Sequence, residues 1–381
     1  MDIKKYFHKN GKFLEIGPLD KPFLKKTEYN VKYLDYNNTE GVKAIYKNTY
    51  ANYDSIVDID YATFGRSYKE AVGEAIFDGV YSSHVIEHTL DLLAHFRDVA
   101  DILCENGVYY LVLPDKTHYA DYFRQNTTFR EVYEVYKLGG VNGIVEAVAD
   151  AGLNVAYNFN TKDFHNKEIT FLKDIILYDS RKKWANDVYK SDNPELLAPS
   201  CHKWVFDEKS ILEIIRDAIR FELIPFSVEE ALCTSDETNF NIYIAIRKNS
   251  EILSNGSLRL KVLVDIQKKI EQIDGLKSPL FYILDNIKSK SFYIYGAGIY
   301  GVEMCKWLES EGATVKGFII SDNQEKKKND ISGLPVYKIS EVEFEADFFV
   351  VVAVRNAEAG REIGTELKRR GMEKWKDYVL A

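Results

Sequence analysis

Residues 12–17, KFLEIG, form a short apolar run that ends in an acid and a glycine, and this pattern decides the fold. Residues 89–103, TLDLLAHFRDVADIL, carry apolar side chains at helical spacing and predict an amphipathic helix. Short apolar strands separated by helices predict an α/β fold with a mainly parallel, doubly wound, Rossmann-like sheet. The other strand-like runs are residues 31–36 (VKYLDY), 54–60 (DSIVDID), 77–83 (FDGVYSS) and 107–114 (GVYYLVLP).

The composition is that of a globular protein with two or three domains, since 46% of the 381 residues are hydrophobic. Lysine and arginine number 50 against 59 acidic residues, a net charge of −9, which argues against a nucleic-acid partner. The four cysteines form no CxxC pair, so we expect a reduced, cytoplasmic protein without a thiolate zinc site. The longest apolar stretch, FFVVVAV at residues 348–354, is too short to span a membrane.

The chain divides into three parts by pattern. Residues 1–248 form one α/β domain, in which residues 115–200 read as a helical cap that contacts the substrate. Residues 249–290 are a linker whose amphipathic helix packs on a domain or pairs two copies as a homodimer. Residues 291–381 repeat the strand–turn–helix scheme as a second, smaller α/β domain.

Two antiparallel strands and a helix are expected to complete the first domain. Residues 207–221, DEKSILEIIRDAIRF, predict a helix with Asp207 as its N-cap. Residues 221–231 and 240–248 predict two strands that lie side by side.

Ligands of doubly wound sheets bind at the carboxyl ends of the strands. The segment EIGPLDKPF after the first strand has one glycine and two prolines, so it offers few backbone N–H groups to a phosphate. The sequence therefore predicts a pocket for a nucleoside without phosphates, in which an acid after the second strand accepts hydrogen bonds from ribose. The residues expected at this edge are Glu15, Gly17, Pro18, Asp35, Asp58, Ile59 and Asp60.

The motifs LEIGP, YLDYN, SSHVIEH and LVLPDK, in this order over residues 12–248, resemble the class I S-adenosylmethionine-dependent methyltransferases. More narrowly, they are similar to a bacterial branch linked to surface-sugar biosynthesis. The resemblance implies S-adenosylmethionine as cofactor and methyl transfer to a hydroxyl of a sugar or sugar nucleotide. The second and third glycines of the family's first motif are missing here. The resemblance implies contacts of Glu15 and Gly17 with the methionine end, Asp35 with ribose, residues 58–60 with adenine, and Ser83 and His84 with the sulfonium.

The stretch HVIEH would place His84, Glu87 and His88 on one face if it were a helix. It is similar to a stretch of ubiquinone-pathway and small-RNA O-methyltransferases in which such residues and a later histidine hold a divalent metal ion. That resemblance implies a metal site of His84, Glu87, His88 and His202. Alternatively His88 or His202, near His84, is a metal-free general base, or the residues only cap a helix.

Other polar residues are weaker candidates. His118 follows the fifth strand, where substrate contacts are common. Arg124 and Arg130, in the cap, would meet an anionic substrate or stay solvated.

A second motif, GAGIYG, places Gly296, Gly298 and Gly301 between a strand and a helix, with Asp322 after the next strand. Residues 291–381 resemble the Rossmann-like tail domain of sugar C-methyltransferases and the N-terminal domain of sugar-modifying acyltransferases. This implies nucleotide or sugar-nucleotide binding, or a degenerate domain with only a structural role. An NAD-dependent oxidoreductase using GAGIYG is an alternative, although no Tyr-x-x-x-Lys pair follows the motif. A non-catalytic scaffold of glycan assembly is another.

Overall fold

The computed structural model divides the chain into two units, Met1–Ile266 and Gln267–Ala381. Each unit has its own sheet. The structure describes residues 3–48, 52–138, 144–154, 182–183, 185–187, 190, 201–233, 240–275, 278–344 and 347–381.

The first unit is built on a seven-stranded sheet in the order β3-β2-β1-β4-β5-β7-β6. Strands β1 to β5 pair in parallel, and β7 runs antiparallel to both β5 and β6. This confirms the Rossmann-like sheet and the predicted pairing of the last two strands. The strands are β1 (Lys12–Ile16), β2 (Asn30–Asp35), β3 (Tyr61–Ala62), β4 (Phe77–Ser83), β5 (Leu103–Pro114), β6 (Phe226–Cys233) and β7 (Asn241–Lys248).

Local sequence signals fix the helices of this unit. The helix that precedes β5 has Asp91 as its N-cap, whose side chain accepts a hydrogen bond from the Ala94 N–H. Asp207 caps the helix before β6, as predicted, and the structure adds a capping box with Ser210. The helices are α1 (Thr39–Tyr46), α2 (Tyr68–Val72), α3 (Leu92–Ile102), α4 (Phe129–Leu138), α5 (Ile144–Asn154) and α6 (Glu208–Arg220).

The prediction of a third strand over residues 54–60 is wrong in its position. A 3₁₀ turn covers Tyr53–Ser55, and the short β3 lies only at Tyr61–Ala62. Ile56 is buried, and the Val57 N–H donates to the carbonyl of Leu19 instead of to a neighbouring strand. The apolar pattern thus reflects packing on the core without strand pairing.

The predicted cap, residues 115–200, contains α4 and α5. Residues 139–143, 155–181, 184, 188–189 and 191–200 of this region lie outside the described residues. The chain rejoins the sheet through residues 201–206.

The second unit has a six-stranded sheet in the order β10-β11-β9-β8-β12-β13. Its strands pair in parallel except β10 with β11, so it is also doubly wound. Within the described residues, no helix is both long and apolar enough to cross a membrane. Homodimer formation through the helix at residues 256–273 stays a prediction. The remaining elements are α7 (Gly256–Ile273), α8 (Pro279–Asn286), β8 (Ser291–Tyr295), α9 (Ile299–Ser310), β9 (Thr314–Ile320), β10 (Asp330–Ile331), β11 (Leu334–Lys338), β12 (Phe348–Val352), α10 (Ala357–Arg369) and β13 (Tyr378–Leu380).

Candidate functional site

Glu15, near the end of β1, holds the loop that follows this strand. Its side chain is buried, and its two carboxylate oxygens accept hydrogen bonds from the backbone N–H groups of Phe23 and Leu24, each at 2.8 Å. Burial raises the pKa of Glu15 to about 7. Glu15 therefore shapes the loop, and its predicted contact with the methionine end stays a prediction.

Gly17 lies at the point where the strand order reverses, between β1 and β4. Its φ is +65°, in the left-handed region that glycine adopts without strain. A Cβ built at this position would lie 2.9 Å from the Cγ2 atom of Val85, which follows β4. Glycine at this position therefore lets the end of β1 and the segment after β4 approach each other closely. Pro18 is buried directly after it.

Asp35 ends β2 at the same edge of the sheet. Burial raises the pKa of this carboxyl, while one oxygen accepts the Tyr36 N–H at 2.7 Å. Its position suits a ribose contact.

The residues predicted to meet adenine have different surroundings. Asp58 is exposed, and the Ile59 N–H donates to the Thr39 hydroxyl at 3.0 Å. Asp60 accepts the Tyr33 N–H at 2.9 Å and pairs with Lys26 and Lys32 at 2.7 and 2.9 Å. The carboxyl of Asp60 therefore has structural partners already.

The chain after β4 does not form the α-helix that would put three residues of HVIEH on one face. Ser83 ends the strand, His84 has a φ of +54°, and Ile86–His88 is a single 3₁₀ turn. His84 Nε2 lies 3.1 Å from Asn241 Oδ1, and its Nδ1 lies 3.5 Å from Glu87 Oε1. The expected helical geometry is wrong, because the strand turns sharply at His84.

A cluster of Glu87, His88 and His202 lies beside this turn. One ligand atom from each side chain lies within 4.8 Å of the others. The backbone N–H groups of Lys203 and Trp204 donate to the Glu87 carbonyl at 2.7 and 3.0 Å, which brings His202 from far along the chain to His88. His84 is outside this group of three.

Glu87 is the unusual member of the cluster. Its side chain has no solvent exposure, and among the described residues neither carboxylate oxygen has a hydrogen-bond partner. Burial raises its pKa to about 7. A buried carboxylate without a hydrogen bond is costly, so its retention points to a ligand.

The imidazoles of His88 and His202 are each oriented by a hydrogen-bond partner at Nδ1. His88 Nδ1 lies 3.1 Å from the Cys201 carbonyl, which can only accept, so Nδ1 carries the proton and Nε2 keeps the lone pair. His202 Nδ1 lies 2.5 Å from Asp121 Oδ2. Burial lowers the pKa of His88 to about 4. Burial also opposes the charged form of His202, but the hydrogen bond and charge of Asp121 prevail and raise its pKa.

These donors fit a divalent metal ion. Two imidazoles and one carboxylate suit zinc, iron, manganese or cobalt, and a second ring nitrogen hydrogen-bonded from behind is typical of metal-ligating histidines. The orphaned oxygens of Glu87 are the observation on which this fit rests.

The other sequence candidates lie elsewhere. His118 contacts Asp115 at 3.2 Å and stacks on Phe240. Arg124 is buried and ion-paired, so the idea that it meets an anionic substrate is wrong. Arg130 is exposed and pairs with Glu134. The sequence motifs do not indicate Asp121 or Asn241, because a single Asp or Asn in a polar stretch has no recognisable pattern around it.

In the second unit, Gly296 and Gly298 lie between β8 and α9, and Gly301 lies in the first turn of α9. A Cβ on Gly301 would lie 1.8 Å from the Gly296 carbonyl oxygen, so this glycine serves close packing. Gly298, at the N-terminus of α9, has open space around it. The Asp322 carboxylate accepts the Ser340 N–H at 3.0 Å and lies 3.4 Å from Arg370.

Comparisons with known proteins agree with this geometry. Residues 2–158 match the family model described as a methyltransferase domain. No curated protein sequence matches the chain.

Three solved structures are similar to the chain at low identity. The CurJ carbon methyltransferase is 11% identical, with 64% of this chain and 49% of that chain covered and a TM-score of 0.31. An S-adenosylmethionine-dependent methyltransferase from Mesorhizobium loti is 11% identical, with 63% and 92% covered and a TM-score of 0.31. The methyltransferase CalH in complex with SAH is 13% identical, with 63% and 51% covered and a TM-score of 0.29. The chain therefore spans about half of the length of the first and third of these proteins.

The strand order and the family match identify the fold of the first unit as that of the class I methyltransferases.

Proposed function

We propose that the first unit transfers the methyl group of S-adenosylmethionine to a hydroxyl of a sugar, sugar nucleotide or related small molecule in surface-polysaccharide biosynthesis. The observation that carries the proposal is the buried Glu87, which has no hydrogen-bond partner among the described residues, together with His88 and His202. The sugar class of the acceptor is supported by the resemblance of the sequence motifs.

The residues that would contact the cofactor contribute by holding it in position. When bound, S-adenosylmethionine supplies an electrophilic methyl group on a sulfonium. Asp35 would accept hydrogen bonds from ribose hydroxyls, and the loop held by Glu15 would line the methionine end. The half-buried Ser83 and His84, where β4 ends, would border the sulfonium. Binding both substrates in line is the main contribution of the protein to such a displacement.

The acceptor side removes a proton. His202 Nε2 would take the proton of the acceptor hydroxyl, and the Asp121 carboxylate, 2.5 Å from Nδ1, would stabilise the imidazolium. His88, with its pKa lowered to about 4, stays neutral at physiological pH. If Glu87, His88 and His202 hold a divalent ion, that ion would lower the pKa of the acceptor hydroxyl.

The cofactor assignment is tested by calorimetry with S-adenosylhomocysteine. We expect the Asp35→Ala variant to bind it at least about 10-fold more weakly, because hydrogen bonds to a charged group contribute about 1.5–3 kcal/mol. Asp101→Ala, at an exposed position of α3, is the matched control and should bind as the wild type does. A wild type that gives no heat, or an Asp35→Ala variant that binds normally, contradicts the proposal.

The acceptor and the ion need separate measurements. Native mass spectrometry of the purified protein should show a bound divalent metal that is lost in Glu87→Gln. Methyl transfer from labelled donor should then be assayed against a panel of sugar nucleotides and free sugars. No transfer to any of them, with cofactor binding intact, would favour the scaffold alternative.

We also propose that the second unit binds a nucleotide or sugar nucleotide at the GAGIYG turn. The open space at Gly298 supports close approach of a phosphate to the backbone. Titrations of intrinsic fluorescence with NADH and with uridine diphosphate sugars separate this proposal from the oxidoreductase alternative, which requires that NADH bind more tightly.

A further inference from the structure

Asp121 lies in the cap, away from the sequence motifs, yet it contacts the cluster directly. We propose that Asp121, locked in place by Arg124, is a positioning residue that sets the ring orientation and the tautomer of His202. The catalytic consequence rests on the proposed function of the cluster, but the structural statement does not.

The pair is built into the interior. Asp121 is 3% exposed and Arg124 is 2% exposed. Asp121 Oδ2 lies 2.5 Å from His202 Nδ1, and Asp121 Oδ1 accepts a hydrogen bond from Arg124 Nη1 at 2.8 Å. Each carboxylate oxygen of Asp121 therefore has its own hydrogen-bond partner.

The guanidinium of Arg124 joins three segments of the chain. Its Nε donates to Asp150 Oδ2 on α5 at 2.7 Å, and its Nη1 also donates to the backbone carbonyl of His202 at 2.7 Å. His202 is thus held twice, at its ring through Asp121 and at its backbone through Arg124. Such a planar, multidentate contact fixes orientation as well as charge.

The chemistry of the contact decides which ring nitrogen is free. An ionised carboxylate only accepts, so the neutral His202 ring must carry its proton on Nδ1. Nε2 is then the nitrogen with the lone pair, available to a proton donor or to an ion held by Glu87 and His88. Without Asp121, the ring could turn over or carry the proton on the wrong side.

The Asp121→Asn variant tests this directly. Arg124 would donate to the carbonyl oxygen of the new asparagine. The NH₂ group of that asparagine would then face His202 Nδ1, so the ring proton of His202 would move to Nε2. Long-range ¹H–¹⁵N spectra of the imidazoles, recorded at alkaline pH with chelator, should show His202 as the Nδ1–H tautomer in the wild type. In Asp121→Asn it should be the Nε2–H tautomer.

Two further variants separate positioning from general damage. Asp150→Asn alters the other partner of Arg124 without touching His202, so it should keep the wild-type tautomer. Asp121→Glu restores a carboxylate and should return His202 to the Nδ1–H form.

Metal affinity gives a second readout. Calorimetry with zinc or manganese alone should show binding about 10- to 100-fold weaker in Asp121→Asn than in the wild type or Asp150→Asn. The proposal is overturned if wild-type His202 is the Nε2–H tautomer, a measurement that needs no variant to fold. It is also overturned if a folded Asp121→Asn keeps both the tautomer and the affinity. Failure of the wild type to bind S-adenosylhomocysteine would contradict the proposed function but would not affect the proposal about the His202 tautomer.

Discussion

A buried glutamate lies near the end of β1 and another in the 3₁₀ turn after β4, and the two have different surroundings. Glu15 and Glu87 are both buried, and burial raises the pKa of each to about 7. Glu15 uses both oxygens to hold backbone N–H groups of its loop, whereas Glu87 has no hydrogen-bond partner among the described residues.

The difference separates an acid that stabilises the fold from one that serves a ligand. Converting Glu15 to glutamine takes the acceptor oxygen from one of two backbone N–H groups, whereas converting Glu87 to glutamine removes a buried charge that has no hydrogen bond among the described residues. The same substitution at the two positions should therefore have opposite effects on stability.

The largest effect is expected for Glu87→Gln in chelator. The pKa of Glu87 is raised from 4.5 to about 7, so the folded state resists ionisation and loses stability as pH rises through this window. The loss amounts to about 3 kcal/mol, at about 1.4 kcal/mol per pKa unit. Urea unfolding should show the variant more stable than wild type by about this amount at alkaline pH and equal to it in acid.

A Glu87→Gln variant less stable than wild type at alkaline pH would show that a partner stabilises the carboxylate. Addition of zinc or manganese should stabilise the wild type and leave the variant unchanged.

A smaller effect of opposite sign is expected for Glu15→Gln. A glutamine has one acceptor oxygen, so its NH₂ group would face the N–H of Phe23 or Leu24. We expect a loss of about 2 kcal/mol in the free energy of unfolding, measured in acid, where the raised pKa of Glu15 adds no cost of ionisation to the wild type. Glu28→Gln, at an exposed position of the same region, should be neutral. Equal stability of Glu15→Gln and wild type would end the contrast between the two glutamates.

The smallest effect is expected for Gly17→Ala, between the two regions. The left-handed φ costs an alanine about 1 kcal/mol, and contact with Val85 adds to it. Denaturant unfolding of Gly17→Ala, Val85→Ala and the double variant should show positive coupling, since removing the valine branch relieves only the contact. Strict additivity would mean that the backbone around Gly17 and Val85 accommodates the added methyl group at no cost in the free energy of unfolding.

Much of the fold was predictable from short-range patterns. The runs ending at Gly17, Asp35 and Ser83 became β1, β2 and β4, because each carries apolar side chains that the sheet buries on at least one face. The run at residues 54–60 misled, since Ile56 and its neighbours pack on the core without strand pairing.

The candidate site was predictable only in part. Adjacent residues of HVIEH indicated Glu87 and His88, and a similarity of motifs indicated His202. Which of them meet depends on the sharp turn at His84 and on hydrogen bonds from Lys203 and Trp204, and neither has a sequence signature. Asp121 could not be found, because its importance comes only from tertiary contact with His202.

Residues 203 and 204 are held beside Glu87 by main-chain and side-chain hydrogen bonds, since their N–H groups donate to the Glu87 carbonyl and Trp204 Nε1 donates to the Thr89 carbonyl at 2.8 Å. Asp150, in the cap, also holds Arg124, so an exchange of cap sequence should keep Asp150 and vary residues 155–200. Chimaeras that exchange this stretch between related enzymes should inherit the acceptor choice of the donor sequence while the proton-handling groups stay where they are.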